Sequence, residues 1–339
     1  MGDIHQSISQ MCANLGQDRL LVQGAGGNVS WKEGEILWIK ASGTWLANAT
    51  KEDIFVPVDL KHLQNALSQK NFTIKPQVIA TKIDNKLQPS IETVLHGLMP
   101  QKIVVHLHAI NPLSHLVSRD CRISIAKICE QASINGVLVG YHKPGPDLAQ
   151  AIYQSLQEFP DASVIFLKNH GIVVGAQTTE EIYSLLKKID LAFAPKLLTS
   201  KDSDVPANIL QSPVEGYTPL NNKDAQKIVF NQYLFKRLNQ DWVLYPDHAV
   251  FLGPAANIYP SWEVLQKQNK DSHPELIFIE NVGIFVKPEF NKAKVAQLLC
   301  YFDVINRVPP EFRLESLNAG EVRDLLNWDA ERLRQNMAK

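Results

Sequence analysis

Short apolar runs alternate with amphipathic segments through most of the chain. Strand-like runs occur at 35–40 (EILWIK), 104–108 (VVHLH) and 163–174 (SVIFLKNHGIVV). Residues 3–14 and 179–191 place apolar side chains at helical spacing, which predicts amphipathic helices. Because short strands and helices follow one another in this way, the pattern predicts an α/β sandwich around a mixed or mostly antiparallel sheet.

The run VVHLH places two histidines on one face of a predicted strand. Alternate side chains of a strand share a face, so His106 and His108 project to the same side. Glu92 precedes this strand, and His170 lies in another strand-like run. Three histidines, one carboxylate and an open position are typical of a catalytic metal centre. The alternative is that the paired histidines are hydrogen-bonded polar groups at a sheet edge.

A glycine-rich segment, LLVQGAGGNVSWK, interrupts the first strand-like run. Gly24, Gly26 and Gly27 permit positive φ angles, and they allow backbone N–H groups to converge on an anion before the strand resumes at Asn28. A glycine-rich hairpin without a ligand is equally compatible with this spacing. The segment lacks the G-x-G-x-x-G spacing of a dinucleotide-binding loop.

The residues before VVHLH predict a strand near 77–83 and then a helix. Ser90 is expected to cap a helix that begins around Ile91. That helix would place Glu92 and His96 one turn apart on the same face.

The second half of the chain begins with a polar, proline-bearing segment at 199–218, which is typical of a linker or long surface loop. The apolar pattern then returns. It predicts a helix near 224–238, a strand at 242–252 and another helix near 261–268.

Residues 275–286 can be aligned with 163–174, and six of the twelve positions are identical. In this alignment His170 falls opposite Val282. We therefore expect the C-terminal extension to be an α/β unit related to the first half, as a degenerate repeat that has lost its ligand.

Composition and charge exclude several classes of protein. The 339 residues allow one large domain or two ordinary ones, and the hydrophobic content of 45% is that of a soluble globular protein. A net charge of −1 without charged blocks argues against nucleic-acid binding. No signal peptide or membrane span is predicted. Four cysteines without a C-x-x-C pair favour a reducing cytoplasm: Cys12, Cys121, Cys129 and Cys300.

Five motifs are similar to those of one protein family. In chain order they are GAGGNVS, KASGT, PSIETVLH, VVHLH and NHGIVVG. Over about residues 4–192 their order and spacing resemble the class II aldolase/adducin family. The resemblance implies a three-layer α/β/α sandwich that assembles as a homo-oligomer, a tetramer or a dimer. The expected domain organisation is a metal-binding domain at 1–198, a linker or long loop at 199–218 and a C-terminal α/β lobe at 219–339.

The resemblance also implies roles for individual residues. By position, Glu92 matches the catalytic acid/base of the family. The matching metal ligands are His106, His108 and His170, and the matching phosphate contacts are Gly27, Asn28, Ser42, Gly43 and Ser90. The implied cofactor is zinc, with another divalent metal as the alternative.

Two departures qualify the resemblance. Fuculose-phosphate aldolases have two consecutive serines before the glutamate, whereas this chain has Ser90 followed by Ile91. One phosphate contact is therefore absent or supplied elsewhere. The PSIET form, the PDH at 246–248 and the tail LLNWDAERLRQ look more like the aldolase portion of bifunctional rhamnulose-1-phosphate aldolase/alcohol dehydrogenase proteins.

The implied reaction is cleavage of a ketose 1-phosphate into dihydroxyacetone phosphate and an aldehyde through an enediolate. This would make the protein a carbon–carbon lyase with a sugar-phosphate substrate and no nucleic-acid or membrane partner. Two alternatives use the same scaffold. One is an epimerase or dehydratase of sugar phosphates, and the other is a non-catalytic assembly module similar to the adducin head.

Overall fold

A computed structural model describes residues 3–80, 87–195, 205–206, 209–268 and 273–329. Within these residues, no helix is long and apolar enough to cross a lipid bilayer.

The first half alternates strands and helices. Its strands are β1 (Asn28–Glu33), β2 (Ile36–Lys40), β3 (Phe55–Asp59), β4 (Ile103–Leu107), β5 (Gly136–Val139), β6 (Val164–Leu167) and β7 (Gly171–Ala176). Its α-helices are α1 (Asp3–Gln17), α2 (Leu60–Ser68), α3 (Thr93–Leu98), α4 (Ile110–Leu116), α5 (Cys121–Ala132), α6 (Pro146–Glu158) and α7 (Thr179–Ala192).

The seven strands form one sheet in the order β3-β2-β1-β4-β7-β6-β5. Neighbouring strands are antiparallel except for the parallel pair β5 and β6. The mostly antiparallel sheet predicted from the sequence is therefore confirmed. Strand β4 lies in the middle, where His106 is opposite Asn28 on β1 and Val173 on β7. This register brings the glycine-rich segment beside the predicted ligand strand.

Helices cover both faces of this sheet. On one face, Val105 and Leu107 of β4 pack in a core with α1, α4, α5 and α7. On the other face, Val104 packs with α3 and α6, while Leu37 and Val58 pack with α2. The predicted three-layer α/β/α sandwich is confirmed. Because side chains alternate along a strand, His106 faces the same layer as Val104.

The second half contains a smaller sheet in the order β8-β11-β10-β9. Its strands are β8 (Thr218–Pro219), β9 (Ile258–Tyr259), β10 (Leu276–Ile279) and β11 (Gly283–Val286). Its helices are α8 (Lys223–Phe230), α9 (Gln232–Gln240), α10 (Pro246–Leu252), α11 (Trp262–Gln266), α12 (Lys292–Ile305) and α13 (Ala319–Leu326).

The small sheet repeats the β4-β7-β6-β5 half of the large sheet. In both, the first pair and the hairpin are antiparallel and the last pair is parallel. Helices also follow corresponding strands, since α4 and α8 come after the first strand and α7 and α12 come after the hairpin. This topology agrees with the predicted degenerate repeat.

The two hairpins match residue for residue. Val164 pairs with Val174 in the first, and Leu276 pairs with Val286 in the second, as in the sequence alignment. In the same register, the places of the three histidines are taken by Pro219, Asn221 and Val282. These side chains lack imidazole, so the second unit has no counterpart of the three-histidine group of the first.

The two halves share one hydrophobic core. Phe278 and Ile284 of the small sheet belong to the same buried cluster as Leu113 and Leu116 of α4. Helix α12 also packs against both α4 and α8. The second half is thus built directly onto the layer that lies behind the central strands.

One prediction for the second half is wrong. Residues 242–252 contain helix α10, where the sequence favoured a strand. Pro246 takes the first helical position and Asp247 lies in the first turn, which are typical helix starts. All residues of α10 are buried, and a short run that is apolar on every side cannot be distinguished from a buried strand by periodicity.

The helix predicted near 224–238 is also two helices rather than one. Asn231 has extended backbone angles and separates α8 from α9. Its side chain accepts hydrogen bonds from the N–H groups of Tyr233 and Leu234, and this cap begins α9.

The strand predicted near 77–83 lies partly outside the described residues, which end here at Ala80. Val78 forms an isolated antiparallel bridge with Val58. The described part therefore extends the edge of the sheet by a single bridge.

The predicted linker at 199–218 also lies partly outside the described residues, since 199–204 and 207–208 are not described. Residues 209–217 contain no helix or strand, and Thr218 pairs with Val286 in the small sheet.

Candidate metal centre

Three buried histidines meet at the end of the central strands. His106 lies on β4, His108 directly follows it, and His170 lies in the turn between β6 and β7. Their candidate ligand atoms all lie within 4.8 Å of one another. The antiparallel pairing of β4 with β7 explains this convergence, because it places Leu107 opposite Ile172 and so brings His170 beside His108.

The hydrogen bond of His106 selects the nitrogen that faces the site. The Nδ1 atom lies 3.0 Å from the backbone oxygen of Ile172. A carbonyl can only accept, so Nδ1 has the proton and Nε2 has the lone pair. Among the described residues, the buried Nε2 atom has no hydrogen-bond partner. This orphaned nitrogen and the donor set of three imidazoles fit a divalent metal ion.

Glu92 lies between two of these imidazoles. Its Oε2 atom is 3.5 Å from Nε2 of His106, and its Oε1 atom is 3.5 Å from Nε2 of His170. Asn28 donates a hydrogen bond of 2.7 Å from Nδ2 to Oε2. The carboxylate is nearly buried, with 7% of the residue exposed. It is therefore held directly beside the ring nitrogens of His106 and His170.

The backbone before α3 sets the position of Glu92. Helix α3 begins at Thr93 rather than Ile91, so Glu92 precedes the helix instead of lying on its face. The Glu92 N–H donates to Oγ of Ser90, and the Thr93 hydroxyl donates to the Ser90 carbonyl. With this tight turn, the carboxylate lies 3.5 Å from ring nitrogens of His106 and His170.

His96 lies in the layer behind the site. Its Nδ1 atom is 2.8 Å from Oγ of Ser30. Burial, followed by the neighbouring His106 and Lys32, keeps the pKa of His96 well below its usual value. The ring is therefore neutral and buried, in keeping with a packing and hydrogen-bonding role.

All of the residues expected to contact phosphate line the same pocket as Glu92, His108 and His170. They are Gly27, Asn28, Ser42, Gly43 and Ser90.

Gly27 is required by the backbone of this pocket. Its φ angle is +67°, and a Cβ atom there would lie 3.0 Å from the carbonyl oxygen of His106. For both reasons, any larger side chain at this position would be strained. The close approach keeps the glycine-rich turn beside β4.

Lys40 is a pocket residue that the sequence analysis missed. It is 1% exposed, and its Nζ atom donates to the backbone oxygens of Ala25 and Ala41 at 3.2 and 3.3 Å. It lines the pocket together with the glycine and serine loops. The sequence feature that could have identified it is a lysine at the end of an apolar strand, directly before the small-residue turn ASGT.

Asp247 of α10 is the second missed residue, and it brings the second half into the site. It lines the pocket and is 2% exposed. Its Oδ2 atom lies 3.5 Å from Nδ1 of His108 and accepts a hydrogen bond of 3.1 Å from Nε2 of Gln297. The sequence PDH at 246–248 contained this residue, but the chain alone did not reveal its neighbours.

Comparison with known families matches residues 6–194, more than half of the chain, to the class II aldolase and adducin N-terminal domain. The chain belongs to this family. The class II aldolase/adducin resemblance of the motifs is thus confirmed, and all three histidines, Glu92 and the glycine-rich loop lie inside the matched residues.

One relative of this chain is the uncharacterized oxidoreductase YuxG of Bacillus subtilis (strain 168). It is 30% identical over 183 residues, which are 50% of this chain and 26% of that protein. The chain thus spans about a quarter of the length of the curated relative that it matches. The name of that relative agrees with the resemblance to bifunctional aldolase/dehydrogenase proteins.

Solved structures are similar over the same part of the chain. The N-terminal class II aldolase domain of a protein from Thermoplasma acidophilum is 26% identical, with a TM-score of 0.48, and the match covers 57% of this chain and 92% of that one. L-fuculose-1-phosphate aldolase from Thermus thermophilus is 15% identical, with a TM-score of 0.38 and coverage of 56% and 91%.

Proposed function

We propose that the protein is a metal-dependent aldolase that cleaves a ketose 1-phosphate into dihydroxyacetone phosphate and an aldehyde. The observation that supports this most is the convergence of three imidazoles and Glu92 beside a pocket lined by glycine, serine and lysine. Membership of the class II aldolase and adducin family supports an enzyme of this kind.

His106, His108 and His170 would hold the metal ion. Imidazole nitrogen is a preferred ligand of zinc, and a site with three protein ligands leaves a position for substrate. A bound divalent ion supplies Lewis-acid polarisation of the substrate carbonyl.

The phosphate of the substrate would bind at the other side of the pocket. The backbone N–H groups around Gly27 and the hydroxyl groups of Ser42 and Ser90 are donors for its oxygens. The ammonium group of Lys40 would compensate the negative charge of the phosphate. With these contacts the substrate carbon chain would extend towards Glu92 and the histidines.

Glu92 would transfer the proton. In the cleavage, the carbon–carbon bond between C3 and C4 breaks, the hydroxyl on C4 loses its proton as the aldehyde forms, and C3 gains a proton in dihydroxyacetone phosphate. The Asn28 amide donates to Oε2 of Glu92, so Oε1 is the oxygen that would deliver the proton to C3.

The same proposal includes a homo-oligomer, a dimer or a tetramer, as the family implies, and a cytoplasmic location. The four cysteines are free and buried, which favours a reducing compartment. Light scattering on the purified protein measures its oligomeric state directly.

Two measurements on the purified protein test the proposed reaction. Metal analysis is expected to find a divalent ion, and a panel of ketose 1-phosphates is expected to release dihydroxyacetone phosphate, detected by a coupled assay. Isomerised sugar phosphate without release would point to the epimerase alternative. A metal-free protein that turns over no substrate would instead support the assembly module.

A further inference from the structure

We propose that Asp247 of the second half is a positioning residue of the metal centre, which orients the imidazole of His108. The proposal depends on the metal centre of the proposed function. It assigns to the second half a part in positioning a metal ligand, although that half has none of the three histidines.

The contact joins the two halves at the site itself. Oδ2 of Asp247 lies 3.5 Å from Nδ1 of His108, and the two side chains are 3% and 6% exposed. Histidine ligands commonly use one ring nitrogen for the metal and the other for a carboxylate, which fixes the ring orientation. The observed distance exceeds the roughly 2.8 Å of a charge-assisted hydrogen bond, so the two groups are in ion-pair contact rather than in a short hydrogen bond.

The backbone of Gly26 packs closely against the contact between Asp247 and His108. A Cβ atom at Gly26 would lie 3.3 Å from Nδ1 of His108 and 3.4 Å from Oδ2 of Asp247. The same atom would lie 2.9 Å from the carbonyl oxygen of Gln23. The glycine-rich loop therefore packs directly against the histidine–carboxylate pair.

A hydrogen bond also holds the Asp247 carboxylate in place. Gln297 on α12 is 2% exposed and donates to the same Oδ2 atom at 3.1 Å. Helices α10 and α12 pack against each other, so the amide and the carboxylate approach from two fixed elements. A buried carboxylate requires donors or positive charge nearby. Gln297 is one such donor, and a cation bound at His108 would add a favourable positive charge nearby.

The segment before Asp247 is tied to the turn that contains His170. Asn169 donates from Nδ2 to the carbonyl oxygen of Leu244 at 2.8 Å. The Leu244 N–H in turn donates to Nδ1 of His248 at 3.3 Å. Val243 has a φ angle of +57°, in the left-handed region that a β-branched residue rarely adopts. Strained backbone of this kind persists where the surrounding contacts require it.

Comparison of the two repeat units shows that α10 is an insertion in the second unit. Residues 133–135 connect α5 to β5 in the first half, whereas residues 241–257 connect α9 to β9 in the second. Among the described elements, α10 has no counterpart in the first unit. The second unit thus has no histidines at the ligand positions but contains one extra helix, and that helix places Asp247 against His108.

The experiment titrates metal-free protein with Co²⁺, following its visible absorption and competition with a chelator. We expect Asp247→Asn to bind Co²⁺ roughly 10–100-fold more weakly and with an altered spectrum. Asp247→Glu is expected to recover part of the affinity. The matched control is Asp241→Asn, another buried acid of the second half, which pairs with Arg237 and should keep the parent affinity. Thermal unfolding of the metal-free variants checks their folding.

The outcomes separate this inference from the proposed function. If Asp247→Asn has the parent affinity and spectrum, the positioning role is wrong and the metal centre stands. If the parent binds no Co²⁺, the metal centre and this inference both fail. If Asp247→Asn does not fold, Gln297→Met serves as the second variant. It should weaken Co²⁺ binding at least threefold, and parent affinity would overturn the inference.

Discussion

Buried histidines of this chain have different surroundings, and these decide their chemistry. His106 donates from Nδ1 to a backbone carbonyl and presents Nε2 to the site. His248 instead accepts the Leu244 N–H and packs against Trp242, and burial lowers its pKa to about 3. The alternation in VVHLH predicted the shared face of two histidines, whereas the proton position depends on a carbonyl of β7 that sequence spacing does not reveal.

Glu92→Gln should keep the metal and lose turnover. The amide preserves the shape of the side chain but cannot transfer a proton, so we expect kcat to fall by about 10²–10⁴-fold. Metal content and kcat are measured on the same preparation. Glu35→Gln is the matched control, since Glu35 is exposed and pairs with Lys61 on the surface. A Glu92→Gln variant with the parent kcat would remove Glu92 from the proposed mechanism.

At the scale of elements, strands with a clear apolar pattern were predictable, whereas helix starts and packing partners were not. The run SVIFLKNHGIVV was correctly predicted to form β-structure because its residues are mostly apolar; it forms β6 and β7 on either side of a short polar turn. Helix α10 was predicted wrongly because its apolar run is buried on every side. Asp247 and Lys40 were missed for a related reason, since each enters the site through contacts between segments far apart in the chain.

The two hairpin turns offer a matched test of the junction between halves. Asn169 and Asn281 occupy equivalent turns with φ angles of 53° and 57°. Glycine tolerates this backbone, so both Asn→Gly changes preserve the turn. Asn169→Gly also removes hydrogen bonds to the backbone oxygens of Leu244 and Glu315. We expect it to lower the free energy of unfolding by about 2 kcal/mol or more.

The exposed Asn281 should behave differently. We expect Asn281→Gly to change the free energy of unfolding by no more than about 0.5 kcal/mol. Urea denaturation of the two variants and the parent measures both effects. Equal losses would mean that the Asn169 side chain does not stabilise the junction.

At the scale of the whole molecule, one continuous hydrophobic core joins the two halves. Protonation of a buried histidine in either half therefore changes the stability of the whole protein. Burial holds the pKa of His248 at about 3 and lowers that of His115. In the unfolded chain histidine has a pKa near 6.5, so the unfolded state binds more protons between these values. The stability present above pH 6.5 is therefore lost as the pH falls towards 3.

We expect the free energy of unfolding of the metal-free protein to decrease below pH 6.5. Each neutral buried histidine contributes at most about 1.4 kcal/mol per pH unit. His248→Gln should reduce this slope, and the exposed His62→Gln should leave it unchanged. Denaturant titrations between pH 4 and pH 7 measure the slopes. Identical slopes for the parent and His248→Gln would contradict this prediction.

The measurement closest to the central claim is the metal content of the purified parent and of the single variants His106→Ala, His108→Ala and His170→Ala. If the three imidazoles hold one ion, the parent contains about one equivalent of a divalent metal per chain, and each variant loses it after dialysis. A variant lacking His170 that retains the full equivalent would contradict the shared site, because this residue comes from a different strand pair than the other two.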